Sequence, residues 1–207
     1  YITRMLENYG KLFELPKGKP PTPLEKNDHP ELDDSAYCTD IERGLYWSII
    51  GSLQWLISLG RFDIQCATMT LAGFRTLPRT GHLQRAKRVL NYIKEKKHAA
   101  IRIRTEMPNY ASIPKDNYEW ANTVYGNPKE QLPKDLPVPL GKNVITTTYV
   151  DANLMHDTLS GRSVTGVLHL INKTPIEWYS KKQATVETAT YGSEFVAARI
   201  ATDQVID

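Results

Sequence analysis

The sequence predicts an α+β chain: a helical block, then a three-stranded, mostly antiparallel sheet with one covering helix. Three observations carry this. Apolar residues recur at helical spacing through residues 39 to 105. Three β-branched or aromatic runs follow, TTTYVDANLMHD from Thr146, SVTGVLHLI from Ser163 and TPIEWYS from Thr174. A helical pattern, TYGSEFVAAR from Thr190, comes after them.

At 207 residues, with 41% apolar and 24% charged, the chain has room for one domain or two small ones. The net charge of +3 is small, so any affinity for nucleic acid has to come from local clustering. Cys38 and Cys66 give neither a disulfide framework nor a zinc spacing, which suits a reducing compartment. No signal peptide opens the sequence, so a cytoplasmic or nuclear location is expected rather than secretion. Proline divides the chain: five of thirteen lie between Pro16 and Pro30, and six between Pro108 and Pro139. Both stretches read as linkers or long loops. The expected segments are therefore 1–38, a helical 39–105, a proline-rich connection 106–142 with Trp120 and Tyr125 as isolated aromatics, and a strand-rich 143–207.

Residues 1 to 15 read as a short amphipathic helix with Ile2, Met5, Leu6 and Tyr9 on one side. From 40 to 59, Ile41, Leu45, Ile49, Leu53 and Leu56 keep helical spacing, Asp40 can cap the start and Gly60 ends it. No charge falls between Arg43 and Arg61, yet a membrane span needs about 20 predominantly apolar residues. Ser48, Gly51, Ser52, Gln54 and Ser58 interrupt this run, so a buried core helix is the better account. Two more helices are expected from about Asp63 to Phe74 and Gly81 to Lys97, the second with Leu83, Ala86, Leu90 and Ile93 inward. Its other faces and an expected following strand carry Arg85, Lys87, Arg88, Lys94, Lys96, Lys97, Arg102 and Arg104 against Glu95. Such a stripe can follow a phosphate backbone, although composition alone favours a solvated helix face. His82, alone at a helix start, reads as a cap or packing residue before a phosphate contact.

Two acids are the candidate chemistry. Asp151 ends the β-branched part of the first strand run, and Glu194 shares a helical stripe with Tyr191, Ala198, Ala201 and Val205. A carboxylate within an apolar face is costly unless a partner such as a divalent cation compensates it. Spacing is equally compatible with Glu194 flanking the stripe and reaching water. Asp151 can also be a turn former, Asp157 reads as a turn residue before Gly161, and Asp203 falls on the solvent side.

TTTYVDANLMHD, GRSVTGVLHLI, PIEWYSKKQATV and SEFVAA, in that order and spacing, resemble the ribonuclease H domain of copia-type LTR retrotransposon Pol polyproteins. The segment from Tyr46 to Lys97 is similar to the reverse-transcriptase thumb of the same family. Gly51, Ser52, Leu53, Arg61, Asp63, Ile64, Pro78, His82, Lys87, Arg88, Val89 and Leu90 fall in register with it. Phe62 stands where the family usually has proline, and Gly192 where it has the first of two glutamates. The resemblance implies a helical thumb joined to a truncated ribonuclease H-like sheet, with residues 1–38 ending the palm region. It implies metal-dependent hydrolysis of the RNA strand of RNA–DNA hybrids in the intact protein. Asp151 and Glu194 would be catalytic and would ligate Mg2+ or Mn2+, two ions in the complete site, about 3.5 to 4 Å apart. Arg85, Lys87, Arg88 and Lys94 in the thumb, and Lys181 and Lys182 in the SKKQ motif, would meet template-primer or hybrid. The polymerase's YxDD carboxylates would lie before Tyr1, and the third and fourth ribonuclease H carboxylates beyond Asp207, which matches neither. The expected partners are nucleic acid and the rest of the polyprotein, not a membrane. The chain alone is expected to show little nuclease activity and no polymerase activity. The alternative is an inactive nucleic-acid-binding remnant.

Overall fold

A computed structural model describes residues 1–113, 119–124, 126 and 133–206; Tyr125 and Asp207 lie outside the described residues. Helices α1 (Ile2–Gly10), α2 (Asp40–Ser58), α3 (Gln65–Ala72) and α4 (Thr80–Glu95) precede strands β1 (Thr146–Asp157), β2 (Arg162–Ile171) and β3 (Thr174–Lys182), and α5 (Thr190–Ile206) follows. Among the described residues no helix is long and apolar enough to cross a membrane.

The helical unit forms around α2. Its cap is Thr39 rather than Asp40: the Thr39 hydroxyl accepts from the Glu42 amide, and the Glu42 carboxylate accepts from the Thr39 amide at 2.9 Å. This reciprocal box satisfies two otherwise orphaned amides. Tyr46, Ile49, Ile50, Leu53 and Leu56 are fully or almost fully buried against Ile64 and Leu71 of the next segment and Leu83, Leu90 and Ile93 of α4. Ile41, expected on that stripe, is 87% exposed, because the core begins one turn further along. Met5 and Tyr9 bring α1 into the same core, and the Tyr9 hydroxyl lies 2.9 Å from both Ser48 and Ser52 hydroxyls. Of the serines that interrupt the apolar run, Ser48 and Ser52 therefore anchor α1.

The first proline-rich stretch is an ordered strap along α4. Asn91 donates to the Pro16 and Gly18 carbonyls at 2.9 and 3.0 Å, and Arg85 engages Asp28 and Asp33. The strand expected after α4 does not form; Arg104 instead donates its amide to the Thr174 hydroxyl at the start of β3, at 2.7 Å.

The sheet has the order β1-β2-β3, with both pairs antiparallel. Asp151 sits within β1 rather than at its end, since the strand continues to Asp157 through an irregularity at Met155, which has φ +50°. Residues paired directly across an antiparallel ladder share a face, and successive residues alternate. One face therefore carries Thr148, Val150 and Ala152 with His169, Val167 and Thr165; the other carries Tyr149, Asp151 and Asn153 with Leu168, Gly166 and Val164.

Helix α5 covers the first of these faces. Gln183, just after β3, donates its side-chain amide to the Thr165 hydroxyl and the Ser193 carbonyl at 3.0 and 2.9 Å, and His169 lies 3.3 Å from the Gln204 side chain. The buried stripe of α5 is Ser193, Ala197 and Ala201. That corrects the stripe read from the sequence, because Tyr191 and Val205 are 80% and 57% exposed. The sheet face is floored by Ser163, Thr165 and His169, so close approach selects small residues on the helix. Asp203 is exposed, as expected.

Helix α3 and the turn before it meet the other face. The Phe62 and Trp178 rings lie 5.3 Å apart between centroids, and Gln65 donates to the Trp178 carbonyl at 3.2 Å. Glu31 on the strap accepts from the amide and hydroxyl of Thr158 in the β1–β2 turn. The sheet is thus layered between α5 and the helical unit.

Candidate functional site

Asp151 pairs with Gly166, which pairs with Ser180, so its carboxylate leaves the sheet toward α3. There it lines an open cleft of about 610 Å³ between the sheet and the helical unit, with Phe62, Gln65 and Trp178 among its neighbours. Asp151 is exposed and has no hydrogen-bond or ion-pair partner among the described residues. Glu194 is on the helix that covers the opposite face. It is half-buried on the flank of the Ser193, Ala197, Ala201 stripe, again without a partner among the described residues. Of the two placements left open by spacing, the flank is the one adopted.

Magnesium and manganese take hard carboxylate oxygens, so Asp151 and Glu194 are suitable donors by chemistry. By arrangement the strand alternation puts Asp151 on the sheet face opposite the one that α5, the helix of Glu194, covers. Among the described residues no group of three or more His, Cys, Asp or Glu side chains converges to hold a metal ion.

The basic residues divide into engaged and free. Arg85 grips Asp28 with Nε and Nη2 at 2.9 to 3.0 Å and Asp33 with Nη1; these bonds, Asp28 first, raise its already high pKa further. Arg88 pairs with Glu25 at 3.2 Å, and the Lys87 ammonium lies 4.6 Å from the Phe13 ring centroid. Lys182 pairs with Asp157, whose other oxygen accepts from the Ser160 amide in the turn. Lys94, Lys96, Lys97 and Lys181 are exposed and unpaired among the described residues. Lys94, Lys96 and Lys97 form a free basic cluster at the end of α4.

His82 packs and caps. Its ring stacks on Phe74 at 4.1 Å, Nδ1 accepts from the Arg79 amide and Nε2 donates to the Pro30 carbonyl. Burial lowers its pKa against the raising effect of that carbonyl. Glu31 runs the other way: burial would raise its pKa, but bonds from its own amide, His29 and Thr158 together hold it at about 2. Cys38 and Cys66 are free thiols.

Sequence reasoning did not reach Trp178, Gln65 or Gln183 as positioning residues. The advance signals were Phe62, which stands where the resembled family has proline, and the PIEWYSKKQ motif that carries Trp178 and Gln183.

No protein-family model matches this chain, and no solved structure does either. Among curated proteins it is similar to Secreted RxLR effector protein 161 of Plasmopara viticola, with 26% identity over 161 residues. That span covers 78% of this chain and 89% of the effector, and is long enough to reach into both the helical unit and the sheet.

Proposed function

We propose that this chain is the thumb-to-ribonuclease-H junction of a copia-type Pol polyprotein, whose intact form hydrolyses the RNA strand of RNA–DNA hybrids. On its own the chain is a nucleic-acid-binding piece that does not cleave. The supporting observation is the order of elements: a four-helix unit followed by an antiparallel three-strand meander and its covering helix. The non-cleaving half is supported by the separation of Asp151 and Glu194 onto opposite faces.

Binding is carried by Lys94, Lys96 and Lys97, because Arg85 and Arg88 already hold internal acids. The test is hybrid binding as a function of salt. Affinity is expected to fall steeply with salt, and the log–log slope to shrink by about 0.9 for each lysine in a Lys94→Glu, Lys96→Glu, Lys97→Glu variant that had touched a phosphate. Asp151→Asn should leave binding unchanged. Absence of salt-dependent binding would sink the nucleic-acid role, and magnesium-dependent cleavage abolished by Asp151→Asn would sink the non-cleaving half.

A further inference from the structure

The cleft that holds Asp151 has a chemistry of its own. Its walls include Phe62, Tyr149 and Trp178, and Asp151 is the only formally charged residue lining it among the described residues. The sheet alternation puts Tyr149, Asp151, Gly166, Leu168, Trp178 and Ser180 on one surface, facing Phe62 and Gln65. The Gln65 amide nitrogen donates one hydrogen to the Trp178 carbonyl, and its oxygen remains an acceptor. A side chain added at Gly166 would meet nothing within 4 Å, so the floor beside Asp151 is open. A volume of about 610 Å³ is well within the range of small-ligand sites.

A carboxylate flanked by aromatic faces, with neither a partner nor a lining cation among the described residues, is complementary to positive charge. Aromatic faces attract cations through their quadrupole, and a carboxylate takes a planar guanidinium through two parallel N–H bonds. An ammonium can satisfy the charge but neither stacks nor forks. We propose that this cleft binds the guanidinium head of an arginine side chain presented by a partner polypeptide, stacked beside Trp178 and forked onto Asp151. The interaction goes beyond nucleic-acid binding and uses none of the lysines assigned to it.

The test uses the full chain and a short capped peptide with one central arginine, followed by amide chemical shifts. Shifts are expected at Asp151, Gly166 and Ser180, with affinity falling about tenfold in Asp151→Asn. The same peptide carrying citrulline, which keeps the shape and loses the charge, should bind about as weakly. Gly166→Leu fills the floor from an open strand position and should abolish the shifts while the rest of the spectrum is kept. Binding unaffected by both Asp151→Asn and Gly166→Leu would overturn the proposal. So would equal binding of the citrulline peptide, or a preference for guanosine monophosphate over the arginine peptide. Salt-dependent hybrid binding, measured separately, shows whether the nucleic-acid role stands or falls with it.

Discussion

Arg85 illustrates how a basic residue on a helix comes to serve the fold rather than a ligand. Its guanidinium is about a quarter exposed, and the two carboxylates that it joins, Asp28 and Asp33, are more buried still. Removing one member of such a cluster leaves the others desolvated and uncompensated. Arg85→Ala is expected to destabilise the chain by roughly 3 kcal/mol, whereas Lys94→Ala should stay within about 0.5 kcal/mol of the parent. Urea unfolding of both variants checks this; equal effects would mean that the Asp28 and Asp33 contacts contribute nothing. The sequence showed both residues as cations on the polar side of one helix, which is correct. It could not distinguish them, because the acids that claim Arg85 lie more than fifty residues upstream, in a proline-rich stretch with no periodicity. His82 was more legible: an isolated histidine at a helix start has few roles, and its ring is the cap and packing group that its position suggested.

At the scale of elements, helix and strand identities follow from local periodicity, and the orientation of α5 does not. Helical spacing put Tyr191, Glu194, Ala198, Ala201 and Val205 on one stripe; of these Ala201 is buried, while Tyr191, Ala198 and Val205 are exposed. Those three face away from the sheet, and Ser193 and Ala197 join Ala201 against a face that carries Ala152, Ser163, Thr165, Val167 and His169. The rotation is fixed from outside the helix by Gln183, whose side-chain amide ties β2 to the first turn of α5. Gln183→Ala should therefore cost about 2 kcal/mol, as expected for leaving a buried carbonyl and hydroxyl short of a donor. Hydrogen exchange should quicken in α5 while α2 and α4 stay protected. Uniform acceleration across all three helices would show that Gln183 does not act locally.

For the whole molecule, the succession of a helical unit and a three-strand sheet was readable from the chain. How the two meet was not. The contact rests on Phe62 against Trp178, on Gln65 with the Trp178 carbonyl, and on Glu31 with Thr158, pairs separated by more than a hundred residues. Single-strand alternation assigns a residue to one of two faces, but which partner lies over each face depends on the connections between elements. That is why periodicity placed Asp151 on a strand and Glu194 on a helix without showing that α5 covers the face opposite Asp151. The most direct measurement of this separation is a Mg2+ titration of the labelled chain followed by amide shifts. The arrangement predicts that any Mg2+-dependent shifts around Asp151 keep their affinity in Glu194→Gln. Loss of those shifts, or an affinity about tenfold weaker, in Glu194→Gln would contradict it.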